Sequence, residues 1–460
     1  MYSLNTKSIL NDNHQLNPAI MTDIKDLHIA IMGAGMGGLG AALALAKRGF
    51  KHIDVYETAS NLGFVGAGIQ MPPNVGRILD RLGCWDDIEK EATRVAGSSI
   101  RQGSTNEELA HVDMPDLKGQ YGYSHLCGHR SSLAGHMYEA CKKQDSINFH
   151  FSTSLVEIEA FSPRVSFKLK PRDGEPYTSQ ADILLGADGI KSVTRSQILQ
   201  QVGATPEEAE TGQAAYRIML NREDMAHDPE LLALIDSDEV VRWVGEKRHI
   251  IAYSIADKSI YNLSTAHPDE NFAGAPSITY TTRGSKEVML KVFDTFCPLV
   301  QKMLNLVPEG EVCEWRLRMY KPLPTWTHGA VALLGDACHP TLPHLSQGAA
   351  MAIEDGSTIA EVLCLAPDTQ PETIAKCLKV YELSRKEWTS SLVEMAYLSG
   401  RTLHLGEGKA KEERDRMFKE HKLSGSVPDK WTSPDVQKKI YSNDCVAKVR
   451  DEFETLFAAA

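Results

Sequence analysis

Leu27-His28-Ile29-Ala30-Ile31-Met32-Gly33-Ala34-Gly35-Met36-Gly37-Gly38 decides the fold of this chain. The apolar run Leu27 to Met32 ends in glycines and reads as a buried parallel strand. Leu39 to Lys47 is rich in alanine and leucine and stops at Gly49, the pattern of a tightly packed helix with a glycine cap. Ile53-Asp54-Val55-Tyr56-Glu57 then reads as a second strand. Between strand and helix lies GxGxxG. Gly33 makes the tight turn, Gly35 lets backbone N–H groups approach a pyrophosphate, and Gly38 lets helix and strand pack closely. Ala34 sits inside that turn. Glu57 follows Gly38 by 19 residues (57 − 38), where a carboxylate accepts from ribose hydroxyls. The expectation is a dinucleotide-binding βαβ unit; the bland alternative is a glycine-rich turn with no ligand. The motif alone does not separate FAD from NAD.

Outward from that unit, 460 residues are too many for one ordinary core, so two interlocked domains are expected. Hydrophobic residues at 42% and charged residues at 24% are the balance of a globular enzyme. A formal charge of −12 argues against nucleic acid and anionic membrane as partners, so an anionic cofactor needs local dipoles and a few placed cations. No apolar run is long enough to span a bilayer. The nine cysteines are scattered singly without CxxC spacing, which gives little support to zinc or dithiol chemistry, so no metal is expected, and fits reduced thiols in a cytoplasmic protein.

Residues 1–26 are polar and mixed and read as a disordered leader. The remaining expectation is a nucleotide half over 27–205, a mostly β insertion over 206–310, a return to the nucleotide half over 311–400, and a charged helical segment over 401–460. In the first half, Ile147 to Leu169 suggests a hairpin with Arg172-Asp173-Gly174 as a turn, and Ala181 to Leu185 another buried strand. In the insertion, Arg242 to Val244, His249 to Ile255 and Ile260 to Ala266 look like antiparallel strands. Val331 to Leu334 returns to the buried-strand type, ahead of a helix from Ala349 to Leu363. Lys409 to Lys422 reads as a solvated helix face.

Two distant segments choose between the dinucleotides. Gly186-Ala187-Asp188-Gly189-Ile190-Lys191-Ser192-Val193-Thr194-Arg195 and Gly335-Asp336-Ala337-Cys338-His339-Pro340 resemble the second and third fingerprints of the single-component FAD-dependent aromatic hydroxylases. Gly63 to Asn74 and His129-Arg130-Ser131-Ser132-Leu133 stand in the order that family uses. The chain is similar to its salicylate hydroxylase and 6-hydroxynicotinate monooxygenase branch, over roughly residues 27–400. The resemblance implies an α/β fold: an FAD-binding Rossmann-like domain of para-hydroxybenzoate hydroxylase type, an inserted mainly antiparallel β substrate domain, and a C-terminal helical segment.

It also implies roles. Asp336 would accept from the ribitol hydroxyls, and Arg130 would reach the ribityl or phosphate region, its alternative being a surface ion pair. Asp188 and Gly189 would lie near the pyrophosphate and the approach of the nicotinamide, and Gly68 would lie beside the cofactor. Gly348 and Ala349 open a helix whose free N–H groups would stabilise the charge of reduced flavin. Only one GxGxxG is present, which fits NAD(P)H as a transient co-substrate. Oxygen would then form a flavin C4a-hydroperoxide in a site closed to water.

For the substrate, His249 and Tyr253 are i, i+4 on one strand and share a face. In the hydroxynicotinate enzymes a histidine and a tyrosine at this spacing line the pocket. His344, after Pro343, matches another pocket histidine there. Tyr216-Arg217 matches a pair near flavin and substrate, where Arg217 would hold a carboxylate or polarise the flavin. A strand histidine is more often structural, and Tyr253 could simply close the core. Two positions depart: Gln70 stands where that group has a histidine, and Val240 where it has a cysteine. The expected activity is hydroxylation of a small phenolic or hydroxy-heteroaromatic acid by O2, with or without loss of CO2, in a monomer or homodimer. The rivals are a hydroxylase of a larger phenolic or isoprenoid metabolite, and a binding module without redox work.

Overall fold

A computed structural model of the chain describes residues 23–63, 67–114, 116–272, 281–421 and 429–460. Residues 1–22 of the expected leader, Gly66 and Lys422 lie outside them. Asp23 to Asp26 do not belong to a leader: Ile24–Asp26 is a 3-10 turn, and Lys51 N donates to Lys25 O at 3.0 Å.

The apolar runs assemble into one six-stranded sheet, in the order Thr327–His328, Val331–Leu333, Ile183–Gly186, His28–Met32, His52–Tyr56, Ile147–His150. All neighbours are parallel except the edge strand Thr327–His328. The helix Met36–Lys47 packs on it with Met36, Gly38 and every residue from Leu39 to Leu45 buried. It lies against the helix Gly348–Cys364 so closely that a Cβ on Gly356 would stand 2.5 Å from Ala41 N. Small residues on both faces permit that approach, which is why the segment from Leu39 is rich in alanine.

The hairpin expected from Ile147 to Leu169 is divided. Ser152 takes the left-handed region at φ 54, so Ile147–His150 joins the parallel sheet while Thr153–Ala160, Val165–Pro171 and Tyr177–Ala181 form a separate antiparallel sheet.

The second domain is an eight-stranded sheet ordered Thr281–Arg283, Cys313–Arg316, Gln213–Asn221, Ile260–Pro268, Arg248–Ile255, Glu239–Gly245, Gly97–Gln102, Glu108–Asp113. It is wider than the division at 206 and 310, since two of its strands precede Gln213 by a hundred residues and one follows 310. Gly97–Gln102 pairs in parallel with Glu239–Gly245; a parallel partner arrives by a long crossover and leaves no local signature. One face buries Tyr216, Ile218, Trp243, Ile250, Tyr261 and Leu263 under the helices Pro229–Asp236, Lys286–Val292 and Pro298–Asn305. The other face roofs the nucleotide half.

The chain ends in helices Pro371–Leu403, Lys409–His421, Pro434–Tyr441 and Cys445–Ala459. The boundary expected at 401 falls inside the first of these. The solvated face expected from Lys409 is anchored at two points: Phe418 is buried, and the buried Arg414 donates to the final carbonyls Thr402 O and Leu403 O at 3.2 and 3.0 Å.

Candidate active site

The glycine turn is shaped by contacts that exclude side chains. Gly33 has φ +104 and donates its N–H to Tyr56 O at 2.7 Å; a Cβ there would meet Ala187 O at 2.5 Å. A Cβ on Gly38 would lie 1.9 Å from Gly33 O, whereas nothing lies within 4 Å of one on Gly35, which faces an open cleft. Glu57 closes the turn: its Oε2 accepts from Ala34 N and its Oε1 from Ala59 N, both at 2.8 Å. These two bonds leave further lone pairs on each oxygen.

The second motif is held by its own acid. Asp188 accepts from Ser192 Oγ at 2.5 Å and from Thr194 N and Oγ1 at 3.0 Å, so its carboxylate is turned into the Gly186–Arg195 loop. Its neighbours Ala187 and Gly189 border the cleft, and Asp188 itself does not. Arg195 joins second motif to third by donating to Ile190 O at 2.6 Å and Ala337 O at 3.2 Å, and it stacks on Tyr320.

In the third motif Gly335 turns at φ +61 and points Asp336 into the cleft. Asp336 is open to the cleft but ringed by protein, and this burial raises its carboxyl pKa against the opposing charges of His339, Arg130, Arg195 and Arg217. Beneath it lies a network that the sequence reading missed. Asp355, fully buried, accepts from Gly335 N at 3.0 Å and Arg385 Nε at 2.8 Å and lies 2.6 Å from His339 Nε2. Burial alone would raise it; His339 and Arg385 overcome that and hold it at about 2. Arg385 also pairs with Glu354 at 2.8 Å, and Glu354 accepts from Asn74 Nδ2. The helix from Gly348 begins without a side-chain cap, and Gly348, Ala349 and Ala352 line the cleft. Ser346, just before it, is held at φ 55.

Opposite stands the roof. In the antiparallel register Tyr253 faces Asn262, while Ile251 and Arg217 face Ser264 from either side. All five border the cleft, whose volume is about 340 Å³. Gly68 N donates to Asn262 Oδ1 at 2.7 Å, and a Cβ on Gly68 would lie 2.5 Å from Asn262 Cγ and 2.8 Å from Tyr253 Cε2. Glycine at 68 is thus what lets floor and roof meet. Asn262 Nδ2 is buried without a hydrogen-bond partner among the described residues. Arg217 is half-buried; desolvation, then the like charge of Arg130, lower its pKa. Burial pushes the Tyr253 phenol well above its ordinary value, so it stays protonated.

Other expected residues stand elsewhere. Tyr216 alternates to the far face of its strand and stacks on His267 at 4.2 Å. Val240 is buried in an apolar cluster beside Tyr253 and Leu345. His249 and His344 do not border the cleft; they stand behind Ile251 and Pro343 in a buried cluster with His404. His249 Nδ1 lies 2.7 Å from His404 Nε2, and His344 Nε2 lies 3.2 Å from Gln213 Oε1. His404, Asn262 and the Asp355–Arg385 pair carry no motif and become visible only when the chain is folded.

A family model described as FAD binding domain matches residues 26–258. The chain is 30% identical to the FAD-dependent monooxygenase atnJ of Arthrinium sp, over 88% of this chain and 91% of that protein. It is 32% identical to the 6-hydroxynicotinate 3-monooxygenase of Pseudomonas fluorescens, over 80% of this chain and 90% of that one. The chain belongs to the FAD-dependent aromatic monooxygenases. This monooxygenase shares its fold with a salicylate hydroxylase solved as a substrate complex, at a TM-score of 0.75 and 22% identity over 93% of this chain and 98% of that one. FAD is its cofactor, and the cleft suits that group. It offers open space at Gly35, an uncapped helix start at Gly348, an acceptor at Asp336 and an unpartnered donor at Asn262. Among the described residues of the monooxygenase, no helix is long and apolar enough to cross a membrane.

Proposed function

We propose that this monooxygenase hydroxylates a small phenolic or hydroxy-heteroaromatic acid, with NAD(P)H as reductant. The observation that carries the reading is Arg217 opening into the same cleft as Tyr253, on roof strands that flank Ile260–Pro268 from either side. A half-buried guanidinium suits a carboxylate, and a protonated phenol two strands away suits the oxygen of a ring hydroxyl. Bound FAD supplies electron transfer from NAD(P)H and the activation of O2, one oxygen atom going to the ring and the other to water. The chain's residues hold the reactants. Glu57 and the Gly33–Gly38 turn fix the adenosine and pyrophosphate end, and Asp336 accepts from the ribitol. The free N–H groups at Gly348 and Ala349 would favour negative charge on a group held at the helix start. Arg130, beside Asp336 and Arg217, adds positive charge along the cleft. Tyr253 polarises the substrate hydroxyl, and Ile251, Pro343 and the roof exclude water.

A second reading is a larger phenolic or isoprenoid substrate; atnJ, whose name specifies no small aromatic acid, matches more of this chain than the hydroxynicotinate enzyme does. NAD(P)H oxidation by FAD-loaded protein, measured against salicylate, 4-hydroxybenzoate, 6-hydroxynicotinate and simple phenols with product masses recorded, separates the two. A product gaining one oxygen, or gaining it while losing CO2, supports the first reading. Stimulated oxidation that yields only hydrogen peroxide favours the second, and no stimulation by any compound rejects the first.

A further inference from the structure

Gln70 borders the cleft on the strand Gly68–Met71, and its amide is not free to turn. Its Oε1 lies 3.2 Å from Nε2 of His125, whose Nδ1 lies 3.2 Å from the hydroxyl of Tyr441. All three side chains are buried, and Tyr441 arrives from the last turn of the helix Pro434–Tyr441. Burial holds the His125 ring neutral down to about pH 3, so it carries one N–H and one acceptor nitrogen.

Two assignments of the protons satisfy His125, and they differ at the ends. With Nε2–H donating to the Gln70 carbonyl, Nδ1 accepts from the Tyr441 hydroxyl, and both Gln70 N–H groups are left for the cleft. With the chain reversed, Nδ1–H donates to Tyr441, whose own O–H then has no acceptor among the described residues in a site that is 2% exposed. An orphaned buried hydroxyl costs about 1–3 kcal/mol, and the first assignment avoids it.

We propose that Tyr441 and His125 are positioning residues that lock the Gln70 amide with its N–H edge toward the cleft. On the reading of that cleft as the aromatic-substrate site, the ring it takes then carries an acceptor oxygen there: a phenolate, keto or carboxylate oxygen. The cleft offers no base at this position. Together with Arg217, which also only donates, this selects an anionic ring with oxygens at two places and disfavours an amine in either.

The test uses FAD-saturated protein labelled with 15N-histidine, the His125 signals being assigned by their loss in His125→Asn. The expected result is an Nε2–H tautomer whose Nδ1 resonance shifts in Tyr441→Phe as the donor is removed; an Nδ1–H tautomer overturns the proposal. Flavin absorbance titrations with 3-hydroxybenzoate and 3-aminobenzoate give the second readout. The wild type should prefer the hydroxy compound by about tenfold, and Tyr441→Phe should lose most of that preference while keeping its FAD content. An unchanged preference in Tyr441→Phe overturns the specificity claim. If neither compound perturbs the wild-type flavin, the reading of the cleft as a small-acid site fails, while the tautomer measurement still decides the relay.

Discussion

At the scale of single residues, the cofactor side of the cleft depends on acceptors and donors that have few other partners. Asp336 is the clearest case, because its side chain enters the cleft while its backbone carbonyl is tied to Arg195. Asp336→Ala should lower FAD affinity by roughly ten- to a hundredfold, the range for losing a hydrogen bond to a charged group. Flavin content measured after gel filtration decides it, and a normal content would remove Asp336 from the ribitol role. Tyr253→Phe belongs to the other side. It should leave FAD content unchanged and raise the fraction of NAD(P)H oxidation that ends as hydrogen peroxide, and unchanged coupling would return Tyr253 to a packing role. These residues were legible because they fall in or beside motifs with fixed spacing. Gln70 was legible only as a departure. The partners that orient it stand 55 residues away and, from there, a further 316, distances at which no sequence pattern carries information.

At the scale of elements, the nucleotide half was readable because a strand buried on both faces is a continuous apolar run, and a helix crossing another at Gly356 must be small. The substrate sheet was readable only where consecutive strands pair as hairpins, from Glu239 to Pro268. Gly97–Gln102 is placed by a distant parallel pairing instead and carries Glu108–Asp113 with it; His249 was expected in the pocket from strand spacing and resemblance, His344 from resemblance alone, and neither signal tells what packs behind the cleft. The least legible element contact is that of the helix Gly348–Cys364 with Pro371–Leu403, where Arg385 is enclosed by Glu354 and Asp355. Arg385→Met should cost on the order of 3–5 kcal/mol, since it leaves two buried carboxylates without their cation. Urea unfolding of the FAD-loaded protein measures it, and a loss below 1 kcal/mol would mean that the carboxylates simply take up protons.

At the scale of the whole molecule, the C-terminal helices fasten both domains to each other. Asp429 pairs with the buried Arg242 at 2.9 Å and accepts from Ser399, Arg77 donates to Tyr441 O and Asn443 O, and His404 contacts His249. This clasp keeps four histidines neutral, three of them buried and His404 partly so. Desolvation, with the neighbouring His404, His344 and Arg242, holds His249 well below its ordinary value; desolvation, with His404 and Arg242, does the same for His344. Desolvation, with Arg242 and Arg414, brings His404 to about 4, and desolvation alone brings His125 to about 3. The unfolded chain protonates each near 6.5. Below that pH the unfolded state therefore binds more protons than the folded one, and stability falls as pH falls, down to about 4 for His404 and about 3 for His125. Asp336, whose raised carboxyl binds its proton more tightly when folded, works in the opposite sense over the carboxylate range. Each histidine that stays neutral should contribute up to about 1.4 kcal/mol per pH unit between pH 6 and 4.5. Urea midpoints of FAD-saturated protein at pH 7, 6 and 5 should drop with a slope of several protons, and His404→Gln should reduce that slope by about one. A flat profile between pH 7 and 5 would mean that the cluster is protonated and hydrated in the folded enzyme, and the C-terminal helices would then not seal the space behind the substrate cleft.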